Sequence, residues 1–276
     1  MHFDFHFSAV QVLWTLTFAA LLVLIVVLMG RDRVRRFPWF TFSIVLTALR
    51  LLTNRLLHDK LPPITMAEIA VPLMALSGLV GLLVLVEMAR YAFRRASARA
   101  WLIWGLVLLA MGAVVLWKWG QWPNWKVVSF DTPIAKLQLM QLLAIKTGLL
   151  TDVLAVLLGL LIVAFGARYG AGWRSHVQRI MIGLSTASLA QIASQAILEI
   201  IARHTVVNSR EVYERLMNLQ DKLLNTTSLV YVLVLIWWIV SLWIDEPAAP
   251  ATVETAPAAA GAEAIEAPPA TETGEV

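Results

Sequence analysis

The chain has 276 residues, 59% of them hydrophobic and only 14% charged, with a mean hydropathy of +0.75, against roughly 45–50% apolar and about 25% charged in a soluble domain, which excludes an ordinary soluble protein. Cysteine is absent, which excludes disulfides, thiolate catalysis, iron–sulfur clusters and cysteine zinc sites. The formal net charge of +4 would be +11 without the seven acids of the segment from Asp245 to Val276, which has no Lys or Arg; such an excess belongs to basic loops at a membrane face and does not point to nucleic acid.

Apolar runs between charged or proline-containing breaks predict seven transmembrane helices, over about 8–29, 38–57, 66–89, 101–117, 138–166, 177–202 and 227–244. Runs of this length cross roughly 30 Å of hydrocarbon as helix, unlike the short alternating segments of a β-barrel. The fold expected is therefore all-α, a polytopic membrane bundle occupying residues 1–245. The first run has no basic leader and is too long for a signal-peptide core, so it is expected to be retained. With the N-terminus outside and the C-terminus cytoplasmic, the inner side holds eleven basic residues, from Arg31 through Arg94 to Arg179. The outer side holds nine, the last group diluted by Glu211, Glu214 and Asp221. Basic residues are retained on the cytoplasmic side, so this orientation is favoured, in a membrane of the bacterial inner type.

Two segments fall outside the spans. Residues 208–224 form an outer amphipathic helix, with Asn208 and Glu211 at capping-box spacing and Val212, Leu216, Leu219 and Leu223 on one stripe. An extension into the last span is favoured over a partner-binding helix. The tail, 246–276, is rich in Ala, Pro, Glu and Thr and is expected to be disordered. Tryptophans such as Trp14, Trp39, Trp101 and Trp243 mark span ends, where an indole buries its ring and keeps its N–H satisfied. The Trp117–Trp125 cluster reads the same way, with a stacking surface for a sugar or aromatic ligand as the alternative.

Ionisable residues inside a span are expensive and face a bundle interior or a water-filled cavity. On the second span Ser43, Thr47, Arg50 and Asn54 fall within about 60° of arc, and on the sixth Ser185, Ser188, Gln191, Gln195 and Glu199 within about 120°. The fifth span adds Lys146 and Asp152. Arg50, Lys146, Asp152, Gln195 and Glu199, with Thr47, Asn54 and Gln191 beside them, are expected to form one cluster in the outer half. Its charges balance, so it serves either as internal pairs, Arg50 with Glu199 and Lys146 with Asp152, or as a pocket for a small anionic or zwitterionic ligand. Glu68 and Glu87 read as anchors, Glu87 pairing with Arg90 or Arg94.

Other signals fail. The seventh span has no Schiff-base lysine for retinal, and no histidine sits within a span to ligate haem. His2, Asp4, His6, His58 and His204 lie on the outer side without compelling metal-ligand spacing. No nucleophile elbow, metalloprotease helix or phosphate-cradling loop is present. Ser77, Gly81, Gly105 and Gly112 offer small surfaces for close helix contact, and Asn225-Thr226-Thr227 matches a glycosylation acceptor triplet. No cofactor is expected, and an enzyme is disfavoured. The function expected is a sensor- or receptor-like binding module, or an accessory subunit of a membrane complex, relying on a membrane or cytoplasmic signalling partner. A small-solute transporter is the alternative.

Overall fold

A computed structural model describes residues 9–57, 60–119, 122, 133–169, 175–205 and 209–246. Among these residues the chain is all-helical: α1 Ala9–Gly30, α2 Arg33–Arg36, α3 Pro38–Leu57, α4 Pro63–Ala92, α5 Ala98–Lys118, α6 Pro133–Tyr169, α7 His176–His204 and α8 Arg210–Trp243. Each long helix covers one expected span. Six of them are long and apolar enough to cross a membrane, against the seven expected. The shortfall is α5, whose apolar stretch is the shorter Leu102–Lys118. The expected disordered tail and the N-terminal His2, Asp4 and His6 lie outside the described residues.

Capping chemistry sets several helix starts. Ser97, Ser175 and Ser209 each accept from the backbone N–H three residues on, satisfying one of the donors orphaned at a helix N-terminus. Asp32 adopts a left-handed backbone, φ 50°, a conformation that Asp tolerates, and so turns α1 sharply into α2. The expected amphipathic segment is not a separate element. It is the first half of α8, capped by Ser209, while Asn208 lies outside the described residues. Val212, Leu216, Leu219 and Leu223 are its half-buried stripe among exposed neighbours. No glycine or proline interrupts α8 over its 34 residues, the usual cause of a kink being absent.

The helices close a ring in which α1 packs on α3, α3 on α4, α4 on α6, α6 on α7, α7 on α8 and α8 on α1, with α4 touching α7 across the middle. Among the described residues α5 stands outside the ring, packed on α6 alone and antiparallel to it, since Trp104 near its start meets Phe165 near the end of α6 with ring centroids 5.7 Å apart. Small residues permit the close approaches. Gly81 faces Thr151 and Gly112 faces Leu150, the packing role expected of them, whereas Gly105 meets nothing within 4 Å.

The ends of α1, α4 and α8 and the starts of α3 and α7 meet at one end of the ring, which is rich in arginine. The core lies toward that end. Phe40 packs edge-on to Trp238 at 5.1 Å, Leu24, Leu28, Ile44, Met88, Ile180 and Leu235 surround them, and the Trp238 indole donates to the Ile180 carbonyl at 3.3 Å. Toward the other end the buried positions run out, at Thr17 on α1, Ala48 on α3, Ser194 on α7 and Val232 on α8.

Gly183 supplies the slot for that indole: a Cβ there would collide with Nε1 and Cε2 of Trp238. Gly183→Ala is expected to destabilise the bundle by about 1–3 kcal/mol, the usual range for overpacking a core, whereas Gly105→Ala leaves stability unchanged or raises it. Thermal unfolding in detergent, followed by tryptophan fluorescence, checks both.

Candidate functional site

Arg50 on α3, Ser188 on α7 and Tyr231 on α8 each lie twelve residues from the helix terminus at the arginine-rich end, so all three stand at one level, about 18 Å from it at 1.5 Å per residue. Asp152 of α6 joins the level by accepting from the Ser188 hydroxyl at 2.8 Å. Tyr231 faces Thr47 and Arg50, and Thr47 donates its own hydroxyl to the Ser43 carbonyl at 2.8 Å, which leaves its lone pairs to accept. Four helices thus contribute polar side chains at one level, in two groups, Tyr231 with Thr47 and Arg50 and Asp152 with Ser188, and buried positions continue beyond it at Val71 on α4, Ala144 on α6 and Ser194 on α7.

The expected cluster divides around this level. Arg50 is half-buried and, among the described residues, has neither an ion pair nor a hydrogen bond. Gln191 and Gln195 lie one and two turns above Ser188 and are half-buried, while Asn54 is exposed. Glu199 is taken by Arg203 of its own helix at 2.5 Å instead of by Arg50. Lys146 does not meet Asp152. It is 7% exposed, donates to the Trp119 carbonyl at 2.5 Å and lies 4.7 Å from the centroid of the Trp122 ring. Trp122 in turn packs on Trp117 and donates to its carbonyl. These tryptophans therefore hold a lysine, a contact that desolvation strengthens. Of the two internal pairs expected, neither forms: each charge has found a closer partner, except Arg50.

Glu87 also differs from expectation. Its carboxylate accepts from the backbone N–H groups of Trp39 and Phe40, at 3.3 and 3.0 Å, instead of pairing with Arg90 or Arg94. It is an anion at the N-terminus of α3, where unsatisfied donors and the helix dipole favour negative charge.

A second polar assembly, at the arginine-rich end, was not anticipated. Asp245 accepts from Arg31 at 3.3 Å and Arg33 at 2.9 Å, and Glu246 accepts from Arg36 at 2.9 Å. Glu246 also accepts from the His176 amide at 2.7 Å, capping α7, and Arg179 donates to the Ser241 carbonyl at 3.1 Å. The sequence signal available was an acidic pair directly after the last span, opposite in sign to the arginines of the turn between the first two. Burial alone would push the Glu246 carboxyl up, but the His176 amide and the Arg36 guanidinium outweigh it and hold it below its ordinary value.

Among the described residues no three His, Asp or Glu side chains converge on a point where a metal would sit; His2, Asp4, His6 and His58 lie outside them. The arrangement defines a class, a multi-pass helical membrane protein. Comparison with protein-family models, curated proteins and solved structures finds no match.

A carboxyl whose folded-state value is depressed adds stability above its ordinary value, about 4.3 for glutamate, and loses it as pH falls through the folded value. Glu246 is such a carboxyl, faced by Arg36 and His176, with Arg33 and Arg179 beyond them around His176. Glu246→Gln is therefore expected to lower the melting temperature at neutral pH and to narrow its gap from wild type on acidification toward pH about 3. Melting curves of both proteins across that range check the sign.

Proposed function

We propose that the chain is a non-enzymatic, sensor- or receptor-like module that binds a small anionic or zwitterionic solute, or an accessory subunit of a membrane complex built on that site. The observation that carries this reading is Arg50: a half-buried cation that, among the described residues, has no ion pair, at the level of Tyr231 and Ser188 inside the bundle's length. An intramembrane charge of this kind is a functional site by default, and a planar guanidinium suits a carboxylate or phosphate. In this proposal Arg50 takes the anionic group, and Asp152, Gln191, Gln195 and Thr47 select among its other groups. Lys146 and Glu199, with Asn54 at the rim, border the approach.

We further propose seven spans, α5 included, with the arginine-rich end in the cytoplasm and the N-terminus outside, in a bacterial-type inner membrane. Support comes from the alternation of the long helices and from Arg31, Arg33, Arg36, Arg94, Arg95 and Arg99 lying together at one end, in the pattern of cytoplasmic retention. The bundle then opens toward the outside, and its signal reaches a membrane or cytoplasmic partner from the opposite end. A transporter is the second reading, favoured by the closed ring of six helices with polar side chains at one level. It requires alternating access about that level.

A ligand that binds only the folded state stabilises it by about 2.7 kcal/mol at a hundredfold excess over Kd. Free amino acids, dicarboxylates and inorganic phosphate form the test panel for the purified protein. At least one is expected to raise the melting temperature of wild type in a concentration-dependent way, and the shift is expected to vanish in Arg50→Gln and weaken in Asp152→Asn. A shift that persists in Arg50→Gln would remove Arg50 from the site. Uptake of the same solute into proteoliposomes, abolished by Arg50→Ala, would replace the binding module with the transporter.

A further inference from the structure

We propose that the groove between α4, α5 and α6 binds an anionic phospholipid, with an acyl chain in the groove and the headgroup phosphate on Arg94, Arg95 and Arg99. This site is separate from the one around Arg50 and stands whether or not that one binds a solute.

The groove has a volume of about 490 Å³, inside the roughly 300–1,000 Å³ of small-molecule sites. It runs from the arginine-rich end along α4, past Leu85 and Phe93, with Gly105 and Leu109 of α5 and Leu158 of α6 as its other walls. Apart from the Trp104 indole, no residue lining it has a polar side chain. A polar solute would lose its hydration there and gain no hydrogen bonds, whereas a hydrocarbon chain loses nothing. The groove exists because α5 packs on α6 alone and not on α4, so its α4 side opens directly toward bilayer lipid. Gly105 keeps it wide, since its α-carbon faces open space.

The mouth supplies the charge. Phe93 and Leu102 both line the groove, and between them lie Arg94 and Arg95 in the turn after α4 and Arg99 in the first turn of α5. All three are exposed and, among the described residues, none has an ion pair. At the same end Arg31, Arg33 and Arg36 are matched to Asp245 and Glu246. The nearest acid on α4, Glu87, is turned toward the α3 amides. Three unmatched guanidiniums at the head of an apolar slot are the complement of a phosphodiester joined to a hydrocarbon tail.

The test is native mass spectrometry of the full, delipidated chain in detergent, offered equal amounts of dioleoylphosphatidylglycerol and dioleoylphosphatidylcholine. Wild type is expected to retain the anionic lipid with a preference on the order of a hundredfold, since each of the three surface arginines contributes a factor of about five. Replacing Arg94, Arg95 and Arg99 together by Gln is expected to bring the preference below about twofold. Gly105→Leu fills the groove and is expected to reduce retention of both lipids without lowering the melting temperature. Equal retention of the two lipids by wild type would overturn the proposal, as would retention indifferent to Gly105→Leu. A lipid-free dimer lost in Gly105→Leu would overturn it too, and would give the groove to a second copy of the chain.

Discussion

A ring of helices in hydrocarbon is held only if its last member returns to its first, and α8 does so where Asp245 and Glu246 meet the arginines after α1. Between helices in lipid the hydrophobic effect gives no net attraction, so packing and polar contacts must decide which faces meet. Individually, ion pairs as exposed as Arg31–Asp245 contribute about 0–1 kcal/mol. Their role here is register. Glu246 is fixed at once by Arg36 and by the His176 amide, which sets the end of α8 against both α2 and α7. Trp238 can then enter the slot at Gly183 and meet Phe40.

From that end the bundle changes character along its length. Its first half is filled by large apolar side chains, and most hydroxyls within the helices, including those of Thr17, Thr41 and Ser77, donate to the carbonyl four residues back. Such hydroxyls are satisfied at home and say nothing about a ligand. Farther up, charge is neutralised locally, Glu199 by Arg203 and Lys146 by a carbonyl and an indole face. Against this background Arg50 is conspicuous for having no acid among the described residues, and Asp152 for having a hydroxyl where a cation would be the usual partner.

The helices were legible in the sequence because hydrocarbon imposes a long uninterrupted apolar run on each of them, and the run over 38–57 matches α3 end to end. The two polar stripes were legible for the same reason: Thr47 and Arg50, or Ser188 and Gln191, can be hidden only on one side of a helix. Their partners were not. Charge balance suggested that Arg50 would meet Glu199, but helix geometry places Arg203 one turn from Glu199, and proximity along the chain wins. Arg33 and Asp245 are 212 residues apart, and no local pattern pairs them. Glu87 was misassigned because its partners are backbone amides of α3, which every sequence possesses and none advertises.

The length of α8 has a mechanical consequence. Thirty-four residues make a rod of about 51 Å, whereas hydrocarbon occupies roughly 30 Å, so some 20 Å projects beyond the acyl layer. With no glycine or proline along it, the projecting portion is continuous with the part inside the acyl layer, as far as Trp243. A tilt applied near Val212 therefore moves the whole helix as far as Trp243, and with it the Asp245 and Glu246 contacts that follow directly on its end.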